Sequence, residues 1–187
     1  IVRQKTLARF FWPLQKMFLK GADAVVATSR AYAESSPALR AFRDKVQVIP
    51  LGVDPDAPMG DAAQAQARLI RARYGQPLVL FVGRLVYYKG LPYLIEAMKG
   101  LQAKALIVGS GPLETELRVL VGRLGLADRV FFEAVPFSKP IAPYFLACDV
   151  AVLPSTERTE AFGLSLLEAM SCGKPVVATE LGTGTSL

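Results

Sequence analysis

Histidine is absent from all 187 residues, which removes imidazole general bases, Ser-His-Asp triads and histidine metal ligands from this chain. Cysteine is nearly absent: Cys148 and Cys172 sit in apolar runs without CxxC or Cys/His spacing. A disulfide framework or zinc site is therefore not expected, and buried reduced thiols fit a cytoplasmic setting. Apolar runs are short, the longest lying near 130 to 135 and 147 to 154, whereas a membrane-spanning helix needs roughly 20 residues. The P-loop pattern GxxxxGK[ST] is missing. GSGPLE at 109 to 114 falls short of GxGxxG because Glu114 fills the last glycine slot, which argues against a nicotinamide cofactor. There is no repeat of fixed period, no low-complexity tract, no initiator Met, and no signal-peptide order of basic, apolar and small-residue zones in IVRQKTLARFFWPLQ. Both that start and the GTGTSL end read as cut edges of a longer protein.

What is present is a chain that is 52% hydrophobic and 20% charged, with 15 Gly and 13 Pro, long enough for one sizeable domain or one domain and a piece of another. The net charge of +6 lies in the first quarter: residues 1 to 45 hold nine Lys/Arg against Asp23, Glu34 and Asp44, and the rest holds thirteen of each sign. Within that quarter Phe10, Phe11, Leu14, Met17 and Phe18 recur at helical spacing beside Arg9, Lys16 and Lys20, an amphipathic helix whose first turn Trp12-Pro13 would mark. A basic amphipathic helix suits an anionic membrane surface, and equally a buried position with its cations solvated. DAVVATS (23 to 29) predicts a strand, Ser29 a helix cap, and KVQVIPLGVDPDAP (45 to 58) a strand entering a connector. The domain boundary is placed there, giving regions 1–50 and 51–187.

Beyond it helices and strands alternate: helix 62 to 74, strand 78 to 83, helix 91 to 100, strand 104 to 108, helix 112 to 124, strand 129 to 133, helix 138 to 147, strand 149 to 153, helix 163 to 172, strand 175 to 179. The strands are continuous apolar runs, as in a sheet covered on both faces, so the fold class is α/β, a doubly wound parallel sheet of Rossmann-like type. Ligands in such sheets bind at the carboxyl ends of the strands. The first strand end there is GRLVYYKG (83 to 90), where Gly83 permits close backbone approach and Arg84 and Lys89 can converge on a diphosphate. The second is GSGPLE, a tight turn expected to leave room for a ligand. The third is PSTERTEAFGLSLLEAMSCGKPVVAT (154 to 179), where Glu160 precedes a helix and Glu168 lies more than a turn inside it. The two carboxylates can grip different hydroxyls of one elongated ligand, while free N–H groups near Phe162 and Gly163 bond another. Glu168 lies among Leu166, Leu167, Ala169 and Met170, where an unpartnered charge is costly and a ligand hydroxyl could serve as partner. Hexose, ribose and diphosphate together make a nucleotide sugar.

VIPLGVD (48 to 54), FVGRLVYYKG (81 to 90), LIVGSGPLETEL (106 to 117), ACDVAVLPS (147 to 155) and EAFGLSLLEAMSCGKPVVAT (160 to 179) resemble, in order and spacing, the family-four retaining glycosyltransferases of GT-B fold. The resemblance covers essentially the whole chain and leans toward bacterial enzymes that build surface polysaccharide or lipopolysaccharide. It implies an acceptor domain whose tail is 1–50 and a donor domain, 51–187, incomplete at its C-terminus. It implies that Arg84 and Lys89 bind the donor diphosphate, that Glu160 with the backbone of Phe162 and Gly163 holds the transferred sugar, and that Glu168 bonds the ribose. Val135 would meet the base, and Leu164 lies near the nucleotide. The implied donor is a UDP-, GDP- or ADP-sugar and the acceptor a glycan or lipid-linked glycan at the inner face of the plasma membrane. No metal, other cofactor or nucleic acid is called for. Two departures stand out: Glu133 where the family has Gly two residues before Val135, and Gly182-Thr183-Gly184 in place of a Gly-Gly pair. The fragment alone is expected to be inactive. A non-catalytic nucleotide-sugar-binding module and a GT-B-like nucleotide-sugar epimerase are the rival readings.

Overall fold

The Val/Leu/Ile/Phe runs become strands because helices cover both of their faces. The computed structural model describes residues 2–54, 60–136 and 139–183, with side chains from Phe11 onward. Its first region holds α1 (Val2–Gly21), β1 (Val25–Ala27), α2 (Arg30–Ser35), a 3-10 segment (Arg40–Lys45) and β2 (Val46–Val48). The two strands pair in parallel, Val25 opposite Val46, over a small cluster of Ala27, Ala33 and Leu39 backed by Leu19 and Tyr32. Ser29 caps α2, its Oγ accepting from the Tyr32 amide at 3.0 Å.

The second region holds α3 (Asp61–Tyr74), β3 (Leu78–Val82), α4 (Leu91–Ala97), β4 (Lys104–Val108), α5 (Glu114–Arg123), β5 (Val130–Glu133), α6 (Ala142–Ala147), β6 (Val150–Leu153), α7 (Leu164–Ser171) and β7 (Val176–Ala178). The five strands are all parallel in the order β5-β4-β3-β6-β7, so the doubly wound α/β expectation holds. Alternate residues of one strand feed opposite cores. Val79 and Phe81 join Leu94, Ile95, Leu117 and Val121 of α4 and α5. Leu78 and Leu80 join Ile70 of α3, Phe145 of α6 and Ala169 of α7.

Several local expectations are corrected. Pro13 lies inside α1, not in its first turn; the helix begins near Val2 and carries through a position where proline offers no amide to the preceding turn. The α-helix expected over 91 to 100 stops at Ala97 and tightens into a 3-10 turn, Met98–Gly100. Those expected from 112 and 138 begin later, at Glu114 and Ala142; Pro112 precedes its helix, and position 138 lies outside the described residues. On the side its glycines face, the GSGP turn packs against backbone and leaves no room for a ligand. Gly109, at φ 141°, lies where an added Cβ would meet the Gly83 carbonyl oxygen at 2.0 Å. Leu85 donates to the Ser110 carbonyl at 3.0 Å and accepts from the Leu113 amide at 3.1 Å. The neighbouring strand-end loop fills the space. Among the described residues no helix is long and apolar enough to cross a membrane.

Gly109→Ala is expected to lower stability by more than about 2 kcal/mol, because both the positive φ and the carbonyl contact resist it. Gly122→Ala, exposed in the last turn of α5 with open space around it, is expected to raise stability by about 0.5 kcal/mol. Urea unfolding midpoints of the two variants check the pair.

Candidate functional site

Strand order reverses beside β3: the chain leaves it toward β4 and β5, then returns to its other side as β6, with Val79 opposite Val150. At such a reversal the loops following the two strands diverge and leave a crevice at the carboxyl edge of the sheet. The β3 loop contributes Gly83, Arg84, a 3-10 turn (Tyr87–Lys89) and Gly90. The β6 loop contributes residues 154 to 163. Their roots are stitched together, since the Thr156 amide donates to the Tyr88 carbonyl at 2.7 Å. Gly90 (φ 65°) lies where a Cβ would fall 1.9 Å from the Pro154 carbonyl oxygen.

In this crevice Lys89 Nζ meets Glu160 Oε2 at 2.5 Å, with the two side chains only 12% and 9% exposed. Ser155, fully buried, donates from Oγ to the same carboxylate oxygen at 2.9 Å. Tyr88 adds its ring face 5.5 Å from the ammonium. Lys89 therefore does not share a site with Arg84 alone, as the sequence suggested; its charge is already balanced by Glu160. Arg84 is exposed, and its guanidinium makes no hydrogen bond or ion pair among the described residues; its carbonyl accepts from the Val86 amide at 3.0 Å.

Glu168 has the opposite surroundings. It is half-buried on α7, burial pushes its carboxyl above the usual carboxylate range, and its side chain has no hydrogen-bond partner among the described residues. It lines a hollow of about 340 Å³ with Ile141, Phe145 and Cys172, to which Val53 and Asp54 of the connector also contribute. Of the nine sequence-predicted residues, Glu168 is the one that lines this hollow. Phe162 is half-buried and Gly163, at φ 79°, is the N-cap of α7; by position the next amides, those of Leu164 and Ser165, have no helical acceptor. Leu164 opens α7 with 42% of its surface exposed. Val135 is partly buried against the apolar cluster that holds Val82 and Ile141.

Glu133 is held from two helices: Tyr74 of α3 donates to Oε2 at 2.6 Å and Tyr144 of α6 to Oε1 at 2.5 Å. Burial, then the carboxylate, pushes the Tyr74 hydroxyl up to about 12 and raises that of Tyr144 as well. The carboxylate that replaces the expected glycine is thus the centre of a packed polar cluster under β5. Of the Gly182-Thr183-Gly184 turn, Gly182 accepts from Ser35 Oγ at 2.7 Å and Thr183 is buried; Gly184 lies outside the described residues. Both cysteines are free and buried, and burial pushes the Cys148 thiol up to about 11.

Residues 65–186 match the model of the family described as Glycosyl transferases group 1. The chain belongs to that family. Residues 2–57 match a second model, Glycosyltransferase Family 4. Over 186 residues the chain is 40% identical to the D-rhamnosyltransferase WbpZ of Pseudomonas aeruginosa, covering all of this chain and 48% of that protein. It is 38% identical to the O-antigen chain mannosyltransferase C of Escherichia coli, covering all of this chain and 49% of that one. The chain thus spans about half the length of these curated relatives. Among solved structures, Anabaena Alr3699/HepE in complex with UDP and glucose superposes with a TM-score of 0.77 at 27% identity, over 93% of this chain and 50% of that one. Sucrose-phosphate synthase from Thermosynechococcus elongatus gives 0.78 at 33%, over 95% and 45%. The α/β fold is of GT-B type.

For this group 1 glycosyltransferase chain, sequence reading missed the roles of Ser155, Val53, Asp54 and Cys172. The buried serine had one signal: a hydroxyl immediately past a strand end, in the loop that also holds a candidate carboxylate.

Lys89→Ala leaves Glu160 as an uncompensated buried charge and is expected to lower stability by about 3 kcal/mol. The double variant Lys89→Met/Glu160→Gln, which leaves no unpaired charge and keeps an acceptor for Ser155, is expected to recover most of it. Denaturant titration of the three variants checks this. For Glu168 the raised folded-state value means that the ionised carboxylate opposes folding; this cost disappears as pH falls through the raised range toward the ordinary one. Glu168→Gln is therefore expected to melt above wild type at pH 8 without ligand, with the gap closing on acidification.

Proposed function

We propose that this chain supplies the donor site of a retaining hexosyltransferase, which moves a hexose from a nucleoside-diphosphate sugar to a glycan or lipid-linked acceptor. The observation that carries the reading is the buried cation–carboxylate pair, Lys89 with Glu160, at the point where strand order reverses. Such a crevice suits a ligand with an anionic end and a hydroxylated end. Lys89, with the free Arg84 guanidinium, takes the diphosphate; Glu160 accepts a hydrogen bond from the sugar; Glu168, lacking a protein partner, accepts one from the ribose; Val135, Leu164 and the backbone of Phe162 and Gly163 complete the site.

In the transfer the bond from the anomeric carbon to the diphosphate oxygen breaks and its electron pair leaves with the phosphate. The acceptor oxygen bonds the same face through an oxocarbenium-like transition state while its proton passes to the departing phosphate oxygen, so configuration is retained. Cationic side chains stabilise the leaving diphosphate, and the reading requires neither imidazole nor metal from this half. The names of the relatives, a D-rhamnosyl and an O-antigen mannosyl transferase, favour hexose donors and surface polysaccharide. The neighbour bound to UDP and glucose favours a nucleotide sugar. In this reading the region before the connector belongs to the acceptor side. The exposed Phe11, Leu14, Met17 and Phe18 of α1, beside Lys16 and Lys20, suit a cytoplasmic membrane surface that holds the acceptor.

Thermal denaturation with UDP-, GDP- and ADP-sugars is the test. A donor at a hundred times its Kd adds about 2.7 kcal/mol, a Tm rise of roughly 5–10 °C for a chain this size. Arg84→Ala and Glu168→Ala are each expected to cost about tenfold in affinity and roughly half of that rise. No rise with any donor rejects the donor site. A rise without release of nucleoside diphosphate by the full-length protein that contains this chain favours the binding-module reading, and interconversion of the nucleotide sugar favours the epimerase.

A further inference from the structure

Resting on the donor reading above, we propose that Ser155 is a positioning residue for Glu160. It pins one carboxylate oxygen so that the other is presented as a single acceptor to one hydroxyl of the transferred sugar. Neither sequence spacing nor any relative's name assigns Ser155 this part.

The argument starts from its burial. A hydroxyl with no exposed surface must find a partner inside the protein, and Ser155 finds Glu160 Oε2 at 2.9 Å. Lys89 Nζ donates to the same oxygen at 2.5 Å. Two donors therefore converge on Oε2, while Oε1 accepts nothing among the described residues. Nor is Oε1 sealed in, because no fully buried side-chain polar atom among those residues lacks a partner. One oxygen is held and the other remains open at the crevice.

The serine is itself held. Its carbonyl accepts from Thr179 Oγ1 just beyond β7, and the next amide, Thr156, donates to Tyr88 at the root of the Lys89 loop. The hydroxyl thus stands on backbone tied to β7 on one side and to the β3 loop on the other, the kind of supporting layer that holds a functional side chain to a fraction of an ångström.

The two donors on Oε2 have different duties. When Lys89 turns to the diphosphate, its hold on Glu160 weakens and the Ser155 bond is the one that keeps the carboxylate in place. Loss of Ser155 therefore falls on the sugar end of the donor and not on the diphosphate end. A generally loosened structure would weaken both ends alike.

Calorimetric titration of the full chain separates these cases. The probes are UDP with UDP-glucose, GDP with GDP-mannose and ADP with ADP-glucose, and the pair that wild type binds is carried forward. Ser155→Ala is expected to weaken the nucleotide sugar about tenfold, the scale of one hydrogen bond to a charged group, and to leave the free nucleoside diphosphate within about twofold. Ser155→Thr, which restores the hydroxyl, is expected to restore the sugar increment. Ser155→Cys, close in size but a weak donor, is expected to behave as Ala does and stands in should Ala not fold. Equal weakening of both ligands, or no weakening of either, overturns the positioning role and leaves the donor site intact. Failure of wild type to bind any of the six probes overturns the donor reading, and this inference falls with it.

Discussion

The arrangement depends on one topological constraint, the reversal of strand order at β3. A parallel sheet that continued in one direction would cover each strand end with the next crossover. Reversal instead sends the β3 loop and the β6 loop to opposite sides of a gap. Their roots are tied by the Thr156–Tyr88 hydrogen bond and by the Gly90 backbone under Pro154, and in that gap Lys89 and Glu160 are driven together. Two nearly buried charges are a poor device for stability, since apolar residues of similar volume do as well or better. They are a good device for exchange. A ligand that brings an anion for the lysine and a hydroxyl for the glutamate can replace the pair with partners of its own, at little net loss of charge compensation.

The two glutamates of the β6–α7 segment show how much environment adds to residue type. Glu160 is the more enclosed of the two, yet its charge is met by an ammonium and a hydroxyl. Glu168 is only half-buried, but its neighbours in the hollow are largely apolar and it has no described partner, so burial raises its pKa. The first is neutralised inside the protein; the second carries an unmet demand. An ionised group of the second kind lowers the stability of the ligand-free fold, which is why the cost of Glu168 grows as pH rises.

Legibility followed the range of the interactions concerned. Continuous apolar runs such as 78 to 82 and 104 to 108 declared a sheet covered on both faces, because burial of consecutive residues leaves its mark in consecutive letters. The strand-end candidates were also readable, since a parallel sheet dictates where its loops gather. Contacts between loops were not. Nothing local to GSGP says that the Gly83 carbonyl fills the space the glycines leave. Likewise nothing near Glu133 announces Tyr74 and Tyr144, which arrive from 59 residues before and 11 residues after it. Pro13 misled for the reverse reason: a local rule about helix starts yielded to a helix long enough to absorb one missing hydrogen bond. The pairing of Lys89 with Glu160 combines both cases, since each residue was legible as a candidate and their meeting, across 71 residues, was not.

A last consequence concerns how the two regions meet. Ser35, at the end of α2, lies within hydrogen-bond reach of the Ala31 carbonyl in its own helix and of the Gly182 carbonyl 147 residues away. A hydroxyl has one proton to donate, so these bonds are alternatives. One keeps Ser35 within its own helix; the other ties that helix to the glycine turn. Arg158 NH2 donates to the Ser35 oxygen from the loop that holds Glu160, and that bond is compatible with either choice. The Ser35 proton therefore has an acceptor within its own helix as well as one across the region boundary. Gly182 and Arg158 both belong to the second region, so Ser35 meets that region twice, once through its proton and once through its oxygen. A contact made of one shared proton and one exposed cation contributes only about 1 kcal/mol per bond, so it is the apolar packing within each region, and not this contact, that carries its fold.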